Sequence, residues 1–123
     1  MITELMPAST LHWVKAAPVT AFPADGGACV KVGTQQIAVF QLAQPGSTTS
    51  RWYATQNECP HKAQMVLARG LVGDHRGEPK VACPFHKKAF SLESGRCLTD
   101  EPYQIATYPV EVLDGYVYIG LPA

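Results

Sequence analysis

Apolar and β-branched residues along this chain fall in short runs broken by Gly, Pro, Asp and Asn. Few windows carry the 3.6-residue period of an amphipathic helix. Ala28–Val32 and Gln36–Phe40 read as two strands around a Gly33-Thr34 turn, and Trp52–Thr55 as a third after the Gln44-Pro45-Gly46-Ser47 loop. Pro79–Ala82 and Ala89–Leu92 are further short strands, with Glu93-Ser94-Gly95-Arg96 as the turn after the second. The clearest signal comes last. Val110–Leu113 and Tyr116–Ile119 flank Asp114-Gly115, a dipeptide that tolerates the positive φ angles of a two-residue hairpin turn. One helical stretch is expected, from Pro7-Ala8 to Val14. There are no repeats, low-complexity tracts or linkers. The pattern predicts one all-β domain over residues 1–123, a sandwich or compact barrel of about ten short strands.

Composition narrows the function classes. A chain of 123 residues is large enough to fold around one core without staples. Ten basic residues balance ten acidic ones. That excludes a general nucleic-acid or anionic-membrane binder, which would show basic excess. The balance is a cancellation, however. Residues 61–90 carry six basic side chains against two acidic, and residues 91–123 carry one against five. No apolar run reaches bilayer length, and the N-terminus shows neither a positive n-region nor an apolar h-region. The expectation is therefore a cytoplasmic protein, in which cysteines serve metal or redox chemistry rather than disulfides.

Two segments carry that chemistry: Cys59-Pro60-His61 and Cys83-Pro84-Phe85-His86, separated by 21 residues. Each offers one thiolate and one imidazole, so strands that bring them together would present four ligands to one centre. Zinc takes such a set tetrahedrally, but its knuckles place two to four residues between neighbouring ligands, and the first pair here has one. A Rieske [2Fe–2S] centre puts two Cys on one iron and two His on the other. Each loop then reaches across the cluster, which suits the C-x-H spacing. Cysteines and histidines that merely pack would be the reading for a lone pair, not for two matched segments.

With these ligands on view, the chain resembles the Rieske proteins from Val30 to Leu121. Among them it is most similar to the small subunits of assimilatory NAD(P)H-dependent nitrite reductase. The stretch Val66-Leu67-Ala68-Arg69-Gly70-Leu71-Val72-Gly73-Asp74 carries the likeness, with Val81 through Leu92 and Gly95-Arg96-Cys97-Leu98. Arg69-Gly70-Leu71 and Lys87-Lys88-Ala89-Phe90 are more specific than the ligand motif that all Rieske families share. Ring-hydroxylase ferredoxins have a shorter gap and a Gly soon after the first His, where Lys62 and Ala63 stand here. The resemblance implies a Rieske-type fold: a small antiparallel β-sandwich or barrel with a cluster-binding subdomain of two ligand loops, about residues 57–92. It implies a [2Fe–2S] cluster held by Cys59, His61, Cys83 and His86. It also implies a large partner subunit carrying FAD, siroheme and a further iron–sulfur cluster, which reduces nitrite to ammonium.

The chain departs from the high-potential Rieske proteins of respiratory complexes. Gln64 and Phe85 stand where those have a loop disulfide, and Lys88 and Phe90 where hydroxyls approach the cluster. Fewer hydrogen bonds to the cluster destabilise its reduced state, so the expected potential is at the low end of the range of about −150 to +300 mV. The potential is also expected to fall with pH once the ligand imidazoles lose protons. Lys62, Lys87 and Lys88 flank the ligands and would steer an acidic partner surface.

Cys29 and Cys97 read as buried thiols, and His12 and His75 as ordinary residues, the latter in a polar turn over residues 73–77. Trp13, Trp52, Tyr108 and Tyr118 read as core and strand positions. Pro102 is either a loop residue or, as in Rieske ferredoxins, a lid over the cluster. No nucleophile–base pair, phosphate loop or dinucleotide fingerprint appears, so the chain is not expected to be catalytic alone. Three functions fit: the nitrite reductase subunit, a stand-alone ferredoxin of a ring-hydroxylating oxygenase, or an assembly subunit with an inert cluster or zinc.

Overall fold

The computed structural model describes residues 11–43, 50–60, 64–75, 78–84, 88–98 and 103–122. Twelve strands are seen among them, and every pairing is antiparallel. Strands β1 (Leu11–Pro18), β11 (Val110–Leu113) and β12 (Tyr116–Pro122) form an outer sheet in the order β11-β12-β1. Leu11 and Pro122 are register partners at one end of it. The central sheet has the order β10-β4-β3-β2, with β2 Gly26–Val32, β3 Gln35–Ala43, β4 Ser50–Gln56 and β10 Thr107–Tyr108. Beyond it lie the short pair β5 (Glu58–Cys59) and β6 (Gln64–Met65), then a three-stranded sheet of β7 (Leu71–His75), β8 (Glu78–Ala82) and β9 (Ala89–Ser91), in the order β9-β8-β7.

The central sheet is the shared wall between two cores. Successive side chains of a strand point to opposite faces. Ile37, Val39, Trp52 and Ala54 pack with Val117, Ile119 and Leu121 of the outer sheet, whereas Ala38, Phe40, Leu42 and Tyr53 pack with Leu67, Val81, Phe90 and Leu92 on the other side. A strand buried on both faces needs a continuous apolar run, which is what Ile37-Ala38-Val39-Phe40 supplies. Phe22 closes one edge of the outer core, its ring meeting Trp52 edge-on at 5.5 Å between centroids.

The strands read from sequence are present, and the Gln44-Pro45-Gly46-Ser47 loop lies outside the described residues. Gly33 takes φ 62°, and Asp114 and Gly115 take 52° and 80°, the two positive values of a type I′ hairpin turn. Leu92 falls in the turn rather than in β9. The expected helix to Val14 is corrected: Leu11–Val14 belong to β1, and the rest of that segment lies outside the described residues. The strand also carries a bulge beyond that window. Val117 pairs with Ala17 and Tyr118 with Lys15, so Ala16 has no opposite number and the alternation slips. The polar turn expected over residues 73–77 is also corrected. Strand β7 runs through Gly73 and Asp74 to His75, which pairs with Glu78.

Candidate metal centre

Two short hairpins rise from the inner core. In the first, Cys59 pairs with Gln64, leaving the four residues 60–63 between them. In the second, the Cys83 amide donates to the Lys88 carbonyl at 2.8 Å, leaving the four residues 84–87. Each candidate cysteine is thus the first residue of an equally sized loop, and in each loop a proline follows it. A proline there presets the turn and removes an amide that the hairpin does not use. His61, Lys62, His86, Lys87 and Pro102 lie outside the described residues.

Both cysteines are buried, 0% and 1% exposed, and belong to one apolar cluster with Leu67, Ala68, Phe90 and Leu92. All four cysteines carry thiols rather than disulfides. A cysteine coordinated to a metal binds as the thiolate. Two buried soft donors rooted in one apolar cluster, each beginning a loop that carries one imidazole in sequence, fit a two-Cys, two-His cluster.

The roots are held together by a close approach. A 3-10 turn at Leu67–Arg69 follows β6 and ends at Gly70. A Cβ on Gly70 would collide with the Ala82 carbonyl oxygen and come within 2.7 Å of Val81 Cγ2. Only glycine lets the return limb of the first hairpin press against the strand that leads into Cys83. Ser91, fully buried, gives its hydroxyl proton to Glu78 and accepts the Glu93 and Ser94 amides at 3.1 Å. That hydroxyl is committed to its own turn rather than to the centre.

Cys29 is corrected from buried to exposed. Ala28, Val30 and Val32 face the outer core, so Cys29 faces the inner side, where edge strand β2 extends past its cover. Cys97 is half-buried beside the inner core. Trp13, Trp52, Tyr108 and Tyr118 are half-buried strand residues and His12 is exposed. Sequence reasoning passed over Asn57, which is buried against the neck of the first hairpin.

Residues 12–120 match the family of Rieske-like [2Fe-2S] domains. The small subunit of NADH nitrite reductase from Escherichia coli K12 is 31% identical, over 88% of this chain and 96% of its own length. This chain belongs to the Rieske-like [2Fe-2S] family, among the nitrite reductase small subunits. The Rieske-like domain is also 41% identical to part of the nitrite reductase [NAD(P)H] of Emericella nidulans, over 93% of this chain. It spans only 11% of that much longer polypeptide. The solution structure of the nitrite reductase [NAD(P)H] small subunit from Erwinia carotovora superposes with a TM-score of 0.72 at 34% identity, covering 90% of this chain and 82% of that one. A ferredoxin component of naphthalene 1,2-dioxygenase/salicylate 5-hydroxylase systems from Ralstonia is 32% identical over 84% of this chain and 89% of its length. Among the described residues, no helix is long and apolar enough to cross a membrane.

Proposed function

We propose that this Rieske-like domain is the cytoplasmic electron-transfer subunit of an NAD(P)H-dependent nitrite reductase, and that Cys59, His61, Cys83 and His86 hold its [2Fe–2S] cluster within a subdomain of about residues 57–92. The observation that carries the assignment is the pair of four-residue hairpins, each beginning on a buried cysteine of one apolar cluster. When bound, such a cluster takes up and passes on one electron at a time. The chain's own residues do the rest. The inner core keeps water from the two buried cysteines, and the paired hairpin roots fix where those cysteines stand.

In this reading catalysis belongs to a larger subunit. That partner would carry FAD, siroheme and a further iron–sulfur cluster, taking electrons in pairs from nicotinamide and delivering them singly to nitrite. Lys62, Lys87 and Lys88 flank the ligands in sequence and suit an acidic docking surface.

Co-purification with the large subunit tests the reading, together with iron and acid-labile sulfide analysis and EPR of the reduced complex. Expected are a Rieske signal and nitrite-dependent NAD(P)H oxidation, both lost in Cys83→Ser. Activity retained without the cluster would establish an assembly role instead. A second reading, a ferredoxin feeding an oxygenase, is supported by the likeness to the Ralstonia ferredoxin component. Electron delivery to an oxygenase but not to a siroheme enzyme would establish it.

A further inference from the structure

Asn57 stands between β4 and β5, two residues before Cys59, and is 3% exposed. Every polar group it owns is engaged. Its backbone amide donates to the Gln36 carbonyl at 3.3 Å, and its carbonyl accepts the Leu67 amide at 3.0 Å. Its side-chain Oδ1 accepts the Ala68 amide at 2.8 Å, and Nδ2 donates to Gln36 Oε1 at 3.0 Å. The same Nδ2 lies 3.6 Å from the Cys29 sulfur.

These bonds join three segments. Residue 57 leads into the first hairpin, residues 67 and 68 lead out of it, and Gln36 belongs to the central sheet. Asn57 therefore closes the hairpin's neck from outside the Cys59–Gln64 pair and bolts that neck to β3. A side chain with both a donor and an acceptor is required: the acceptor holds the returning limb and the donor holds the sheet. Because the site is buried, either bond, once lost, leaves a polar group without water to replace its partner.

We propose that Asn57 is a positioning residue for the cluster, acting through Cys59: its amide sets where the first ligand hairpin stands relative to the central sheet. The inference rests on the Rieske reading above. Groups that orient metal ligands from behind tune the centre as well as hold it, through geometry and hydrogen bonding at the ligand sulfur. Asn57 should therefore affect the electronic properties of the centre and not only the stability of the fold.

The test compares cluster-loaded wild type with Asn57→Ala, Gln36→Met and Val117→Ala. Gln36→Met removes the side-chain acceptor of Asn57 Nδ2, which also faces the Cys29 sulfur at 3.6 Å, and leaves the backbone bond to the Gln36 carbonyl in place. Val117→Ala weakens the outer core, away from both hairpins. Thermal midpoint, iron release to a chelator, EPR g-values and midpoint potential are measured on each. Asn57→Ala is expected to release iron on the order of tenfold faster and to shift both g-values and potential. Gln36→Met should move them the same way by less. Val117→Ala should lower the thermal midpoint with wild-type g-values, potential and release rate. Wild-type values of all three in Asn57→Ala, with a thermal loss like that of Val117→Ala, would overturn the inference. Should Asn57→Ala fail to fold, unchanged release and g-values in Gln36→Met would overturn it equally. A wild type with full iron loading and no Rieske EPR signal would defeat the cluster reading itself, and the inference with it.

Discussion

Gly70 packs against the Ala82 carbonyl, one residue before Cys83, so the return limb of the Cys59 hairpin rests directly on the strand that feeds the Cys83 hairpin. Gly70→Ala would drive a methyl group into backbone that has no room to yield. A cost of about 1–3 kcal/mol is expected, as for other overpacked sites. Because the displaced parts are the roots of Cys59 and Cys83, iron content of the purified protein should fall together with the thermal midpoint.

The two cores should respond differently to truncation. Phe90 is fully buried in the cluster that contains both cysteines, and Ile119 is fully buried in the other. Phe90→Ala should cost about 3–5 kcal/mol and Ile119→Ala about 2–5 kcal/mol by denaturant unfolding. Only the first should alter the visible absorption and circular dichroism of the cluster in the protein that remains folded.

The hairpin at Asp114-Gly115 predicts a third result. Gly115 sits at φ 80°, where an added Cβ meets no neighbouring atom but is strained by the backbone itself. Gly115→Ala should lose about 1–2 kcal/mol, whereas Asp114→Asn should be nearly silent, since Asn also tolerates that region. Thermal unfolding of the two variants side by side checks it.

What could be read from sequence follows from how local the cause is. The last hairpin was legible because two adjacent residues determine it. The candidate cysteines stand out in the sequence because each shares a short segment with a histidine. Strand β1 was not legible, because its partner β12 lies at the far end of the chain. Strand β7 escaped notice because Gly73 and Asp74 read as turn residues when seen alone. Asn57 was invisible for the same reason. Its side-chain partners lie 21 and 11 residues away, and nothing in its neighbours marks it as a clamp.

Cys29 was misread because strand alternation does not reveal which strand is an edge. Its exposure gives a direct chemical expectation. Alkylation of the folded, cluster-loaded protein should label Cys29 first, the half-buried Cys97 more slowly, and Cys59 and Cys83 only after the cluster is lost. Mass spectrometry of a labelling time course checks the order, and Cys29→Ser should keep the full iron content.

Charge around the hairpins predicts a salt effect. If the lysines beside the ligands steer a partner, Lys87→Glu with Lys88→Glu should slow complex formation at low ionic strength. The difference should shrink at about 1 M salt, where the screening length is about 3 Å. Stopped-flow electron transfer between the separated subunits would show it. An unchanged rate at low salt would remove the lysines from the docking surface.

The pairing of Leu11 with Pro122 has a consequence for how this unit travels in evolution. The backbone enters and leaves the described fold as neighbours on one ladder, on the sheet that shares no core with the ligand hairpins. A module whose two ends meet can be spliced into a longer polypeptide with little distortion of its interior. The same cassette can therefore serve as a separate small protein or as one segment of a large enzyme, with the hairpin roots on the core away from both ends.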